Sequence, residues 1–226
     1  WLPGAAGLAY GAFSKFIGIR LIANSQATAT PVARGYIHDD IPVIWNGVEM
    51  PATHRSYPSE PYVDIRVVGR FNRWKGQTKA LDIAELLAND RDLPPWRMTF
   101  VGGSPPNDPA PLAQFRRALS ARTHVQPHVV VREETTEPWI SDSLYSVALV
   151  PSIQPEPFGR VAVEAMALGL PVVAPRHGGL AEIVEADRTG KFYEPGDASH
   201  AARLLSEMVR NPTQLRLLGE HGRQRY

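Results

Sequence analysis

Two stretches of this sequence carry residue types that could do chemistry together. The first, GRFNRWKGQ at residues 69–77, places Arg70, Arg73 and Lys75 in a loop that follows the apolar run Val63 to Val68. Arginine offers a planar fork of donors and lysine a mobile point charge, a pairing that suits a diphosphate; the plain alternative is a set of solvated loop cations. The second, PSIQPEPFGRVAVEAMALG at residues 151–169, runs from a strand end through Pro155 and Pro157 into a helix that begins near Gly159. Backbone N–H groups at Gly159, Arg160 and Val161 find no carbonyl within such a helix, so they form an anion seat aided by the helix dipole. A glycine at 159 would also let a phosphate or sugar approach the backbone closely. Glu156 precedes the helix and Glu164 stands eight positions later, on its second turn, so the two cannot be an acid/base pair on one helical face. They suit a ligand laid across the helix start, with hydroxyl pairs at both ends and an anionic centre, which is the layout of a nucleotide sugar. The plain alternatives are a helix cap for Glu156 and a solvated surface position for Glu164.

Elements must bring these stretches together. From about residue 60 onward, short apolar runs alternate with helical patterns, the signature of a parallel sheet with crossover helices. Strands are expected at 63–70, 96–103, 129–131, 146–152, 170–175 and 191–195. Helices are expected at 78–87, near 111–121, near 138–144, from Gly159, at 180–186, at 199–210 and beyond Thr213. In an open parallel sheet the ligand crevice lies outside the carboxyl ends of the strands, and both chemical stretches follow such ends. Residues 20–48 read as strand, helix, strand, and the Pro-rich MPATHRSYPSEPY that follows propagates neither. A boundary is expected within about 52–61. Residues 1–55 then form a remnant of one unit with its linker, and 56–226 one complete doubly wound, Rossmann-like α/β domain.

Composition narrows the function classes. With 24 Lys plus Arg against 23 Asp plus Glu and a formal charge of +1, bulk charge does not mark a nucleic-acid binder. Hydrophobic residues at 43% and charged residues at 21% fit a globular chain with a sizeable core. The absence of cysteine removes a disulfide framework, a thiolate metal site and a cysteine nucleophile, and a reducing compartment is the natural setting. Trp1 to Ala23 is apolar, but Lys15, Arg20 and four glycines fit neither a signal peptide nor a spanning helix, so a packed helix is expected. The chain begins without Met and stops after helical sequence, so both ends read as cut.

Other signals are weaker. Asp90-Arg91-Asp92 matches a metal-binding pattern but falls at the amino end of the sheet and reads as a solvated turn. His124 and His128 lack the helical metal motif, because Pro127 intervenes and no Glu lies between them. His177 sits on a crevice loop from which it could touch the sugar or acceptor, although a surface histidine is the plainer reading. Met166 with Val163, Leu168 and Leu170 is a core stripe by spacing. Gly102-Gly103 lacks the dinucleotide fingerprint, and Gly190-Lys191 is followed by Phe192, so a phosphate loop is not encoded.

The strings VGRFNRWKGQ and PEPFGRVAVEAMALGLPVVAP, with NGV at 46–48 and GGLAEIV at 178–184, resemble the C-terminal, nucleotide-sugar-binding half of retaining glycosyltransferases of the GT-B fold, the family-four group also called glycosyl transferases group 1. The similarity extends from about Arg20 to the C-terminus. It implies that Arg70 and Lys75 hold the diphosphate and that Glu156 meets donor sugar hydroxyls beside the backbone of Phe158 and Gly159. The amides of Arg160 and Val161 would meet a phosphate, and Glu164 the ribose. Gly69 and Val131 would also line the donor site, with the base against the loop Val131 to Glu134, which departs from the Gly-containing form of relatives. No cofactor is implied: a UDP- or GDP-sugar is the donor substrate, a glycan or lipid-linked hydroxyl the acceptor, and the reaction retains anomeric configuration without a metal. The acceptor domain would lie in a missing N-terminal part or on a partner chain. A cytoplasmic setting is implied, with peripheral contact at the inner membrane face left open. A non-catalytic nucleotide-sugar-binding module and a GT-B epimerase are the alternatives.

Overall fold

A computed structural model describes residues 5–36, 41–49, 60–105 and 107–226. Six strands form one parallel sheet: β1 (Glu60–Val68), β2 (Trp96–Val101), β3 (Val129–Arg132), β4 (Ser143–Leu149), β5 (Val172–Pro175) and β6 (Gly190–Tyr193). Their order is β3-β2-β1-β4-β5-β6, so chain direction across the sheet reverses between β1 and β4. The expected strand pattern and the doubly wound α/β class are both present. The expected boundary at 55/56 lies outside the described residues.

Side-chain alternation explains how the sheet is sandwiched. Val63, Ile65 and Val67 of β1 point to one face, where they join Met98, Phe100 and Leu149. That face is covered by α3 (Gln77–Ala88), α4 (Ala110–Ser120), α7 (Ala198–Arg210) and α8 (Pro212–Arg225), through residues such as Leu81, Phe115, Leu205 and Leu218. Ala148, Val150, Val172 and Ala174 point to the other face, against α5 (Arg160–Ala167), α6 (Leu180–Ile183) and the ring of Trp139. Met166 is buried in this second cluster, as its spacing predicts.

The helix expected near 138–144 does not form. Ser143, Leu144 and Tyr145 lengthen β4 instead, pairing with β1 at Glu60↔Ser143 and Val63↔Tyr145. The preceding residues cross the sheet as a loop over two buried charges on β1. Arg66 donates from Nη1 to Asp64 at 2.7 Å and from Nη2 to the Pro138 carbonyl at 2.6 Å, while Thr99 and Ser141 hydroxyls donate to Asp64 at 2.6 and 2.7 Å. A straight loop carbonyl satisfies Arg66 where a helix would have consumed that carbonyl internally.

The N-terminal part holds α1 (Ala5–Phe16) and α2 (Gln26–Tyr36). The two strands expected around α2 are reduced to one parallel bridge, Ala23↔Val43, since no further strand extends the ladder among the described residues and Pro42 has no N–H to give. The packing expected of α1 holds for one face only. Gly7, Gly11 and Ser14 are buried, with α2 as the neighbouring helix, whereas Phe13 and Phe16 are 59% and 88% exposed. Among the described residues, no helix is long and apolar enough to cross a membrane.

Candidate functional site

The loop after β1 is shaped by its neighbours. Gly69 donates to Val101 O and Phe71 to Gly103 O, both at 2.9 Å, so the β1 and β2 loops run together at the carboxyl edge. Gly102 allows this crossing: a Cβ there would lie 2.2 Å from Gly69 O. Phe71 is buried edge-on against Phe115, with ring centroids 5.0 Å apart, which leaves its neighbour Arg70 exposed. The Arg70 side chain makes no ion pair among the described residues. Asn72 Oδ1 accepts from the Lys75 amide at 2.8 Å, closing a turn that presents Lys75. Gln77, buried at the start of α3, donates from Nε2 to Arg70 O at 2.9 Å and to Gly69 O at 3.2 Å. Nothing in its residue type marks Gln77, because an amide at a helix start has no distinguishing pattern.

The loop after β4 abuts this one. Ile153 N donates to Trp74 O at 2.9 Å, and Gly76, in the left-handed region at φ 71°, packs so tightly that a Cβ would sit 1.9 Å from Pro151 O. Across that contact Lys75 Nζ lies 2.7 Å from Glu156 Oε1. Glu156 is only 4% exposed, and Ser152 Oγ donates to the same oxygen at 2.5 Å. A buried carboxylate needs such partners, so the capping alternative for Glu156 gives way to an ion pair: Gly159 caps α5 with no side-chain bond.

Three residues past Glu156 comes the start of α5. Gly159 has φ 101°, a conformation that favours glycine, and its first intrahelical bond runs from Ala162 N to Gly159 O at 2.9 Å. The amides of Gly159, Arg160 and Val161 lie ahead of that bond, as expected. The glycine also lets α6 pack closely: a Cβ at 159 would meet Leu180 Cδ2 at 2.8 Å. Arg160 Nη2 pairs with Glu164 Oε1 at 3.5 Å, one turn along, which makes Glu164 half-buried rather than freely solvated. An i,i+4 spacing of opposite charges signals this pair in the sequence.

The turn at Gly178-Gly179 braces the same loop. Gly179 N donates to Glu156 O at 2.8 Å, and a Cβ at Gly178 would lie 2.4 Å from that oxygen. His177, which precedes the turn, donates from Nε2 to Ser152 O at 3.1 Å, while its Nδ1 is buried without a partner. The N-terminal part also reaches this loop. Ser25 Oγ donates to Pro157 O at 2.5 Å, Glu182 accepts from the Gln26 and Ala27 amides at 2.9 and 2.8 Å, and the Trp45 and Phe158 rings lie 6.4 Å apart. Val131, half-buried on β3, stands farther along the carboxyl edge, where Gly102 N donates to Arg132 O at 3.2 Å.

The signals set aside lie elsewhere. Asp90 is held by Arg210 at 2.8 Å, and that bond keeps its carboxyl below the usual range. His128 stacks on Trp96 at 4.5 Å, and His124 stands 3.7 Å from Glu85.

The geometry is that of a doubly wound domain in which the cationic loop after β1 meets the loop leading into α5 at the switch point between β1 and β4, through the Lys75–Glu156 pair. Residues 52–225 match the family model described as Glycosyl transferases group 1, and the chain belongs to that family. A D-inositol 3-phosphate glycosyltransferase of Arthrobacter sp. (strain FB24) is 28% identical over 204 residues, covering 85% of this chain and 48% of that protein. The crystal structure of Anabaena HepE in complex with UDP and glucose superimposes with a TM-score of 0.75 at 22% identity, covering 96% of this chain and 62% of that one. Sucrose-phosphate synthase from Thermosynechococcus elongatus gives 0.73 at 28% identity, covering 90% and 52%. The fold is thus the Rossmann-like domain of GT-B glycosyltransferases, and the chain spans about half the length of curated relatives such as the Arthrobacter protein.

Proposed function

We propose that this chain is the C-terminal, donor-binding half of a retaining glycosyltransferase, with residues 1–55 a remnant of the acceptor domain and 56–226 the donor domain. The observation that carries this reading is the Lys75–Glu156 ion pair, which ties the cationic loop after β1 to the start of α5 across the switch point. A nucleoside diphosphate sugar fits that arrangement. Its diphosphate would lie between Arg70, Lys75 and the amides of Arg160 and Val161, its sugar hydroxyls against Glu156 and the backbone of Phe158 and Gly159, and its ribose against Glu164. Gly69 and Val131 would border the nucleoside. UDP is the first candidate because HepE was solved with UDP, and GDP is the second.

Transfer to a hydroxyl acceptor breaks the bond from the anomeric carbon to the diphosphate and forms one to the acceptor oxygen on the same face, the acceptor proton passing to the departing phosphate oxygen. The chain's task is electrostatic: its fixed cations and helix start stabilise the charge that develops on the leaving group. These groups supply the positive charge that a metal provides in other sugar transferases, which supports a metal-independent reaction. A glycan or lipid-linked acceptor would be held by the missing domain or a partner chain, so this chain alone is expected to bind donor weakly and transfer little. A cysteine-free chain suits the cytoplasm, with contact at the inner membrane face arising from the missing half.

Isothermal titration with UDP, GDP and ADP, with and without EDTA, tests the reading. Saturable binding of UDP or GDP unaffected by EDTA is the expected result, and no binding of any nucleoside diphosphate contradicts it.

A further inference from the structure

We propose that Ser152 and His177 are positioning residues that aim the Glu156 carboxylate at the donor sugar; this rests on the reading of Glu156 given above. A carboxylate rotates readily about its last side-chain bond, so a single partner leaves its free oxygen poorly directed. Here both donors converge on one oxygen: Lys75 Nζ at 2.7 Å and Ser152 Oγ at 2.5 Å from Oε1. Among the described residues, Oε2 accepts nothing and is left for a hydroxyl group of the ligand.

Ser152 can do this only if its backbone is held. It is 2% exposed, and its carbonyl accepts from His177 Nε2 at 3.1 Å, which fixes the ring as the tautomer carrying hydrogen on Nε2. His177 is in turn carried into place by the Gly178-Gly179 turn, which presses on the Glu156 backbone so closely that a Cβ at Gly178 would lie 2.7 Å from Glu156 N. A relay of four groups results, from His177 through Ser152 to Glu156 and Lys75. None of its first two members needs to touch the donor.

The test compares UDP with UDP-glucose by isothermal titration on this chain, with GDP and GDP-mannose run in parallel and the tighter-binding nucleotide scored. Ser152→Ala and His177→Leu are expected to lower the affinity for the nucleotide sugar by about fivefold relative to that for the bare nucleotide, in folded proteins with unchanged melting cooperativity. His177→Gln, which returns an N–H near the Nε2 position, restores most of that loss. Equal losses for nucleotide and nucleotide sugar, or a Gln variant no better than the Leu variant, overturn the proposal. Glu156→Gln separates the two layers. If it leaves the sugar-to-nucleotide ratio unchanged, the assignment of Glu156 fails; if it lowers the ratio while the Ser152 and His177 variants do not, only the positioning role fails.

Discussion

Arg70 and Lys75 carry the same charge into the crevice but stand in different surroundings, and the difference predicts different behaviour. Arg70 is exposed and unpaired among the described residues, whereas Lys75 is mostly covered and neutralises a buried carboxylate. Replacing either by Ala is expected to weaken nucleoside diphosphate binding by about 1.5 to 3 kcal/mol, the range for hydrogen bonds to charged groups, as read by calorimetry. Only Lys75→Ala should also lower the melting temperature, because it leaves Glu156 buried without its cation. Unchanged affinity in both variants removes these residues from the diphosphate site. Glu164→Ala is expected to weaken UDP while sparing inorganic pyrophosphate, since a ribose contact is absent from the latter; equal losses for the two ligands contradict the ribose role.

At the scale of elements, two glycines join the loops that bear these groups, and their contacts set the expected size of each substitution. Gly76→Ala combines a left-handed backbone, about 1 to 2 kcal/mol, with a collision against the rigid Pro151 carbonyl. Gly159→Ala meets the side chains of Leu180 and Ile183, which can give way where the Pro151 carbonyl cannot, so its cost should stay nearer the conformational contribution. Urea unfolding should therefore rank Gly76→Ala as the more damaging, and the reverse order contradicts the described junction. The strands and helices that flank these glycines were legible because their periodicity is local. Phe71, Asn72 and Gln77, by contrast, take their roles from contacts with Phe100 and Phe115, with the Lys75 amide and with the Gly69 and Arg70 carbonyls, which no spacing displays. The helix expected at 138–144 failed for a related reason: Ser143 to Tyr145 satisfy helical patterning, but β1 offers them a strand partner, and the tertiary pairing wins over local preference. The Lys75–Glu156 pair was visible as two separate candidates, and its closure across the intervening chain follows only from β1 and β4 being neighbours.

Across the whole molecule, the amino and carboxyl edges of the sheet have separate tasks. Near the amino edge, Asp142 accepts from the Tyr62 hydroxyl at 2.6 Å and pairs with Arg97; these bonds hold its pKa at about 2 against an ordinary 3.8. A depressed carboxylate stabilises the fold fully above its unfolded value and loses that contribution as pH falls through the folded value. Stability is thus expected to drop between pH 3.8 and about 2, and Asp142→Asn should flatten that part of the profile; an identical acid profile in the variant contradicts the assignment. Because Asp142 is more than half exposed, the effect is modest. The carboxyl edge holds the proposed donor site, since the reversal of strand order there places the β1 and β4 loops side by side. Amide NMR titration with inorganic pyrophosphate examines that juxtaposition most directly. The shifts should concentrate together on residues 70–75 and on Gly159, Arg160 and Val161; shifts confined to one of these segments, or lying outside both, would show that they do not grip a diphosphate jointly.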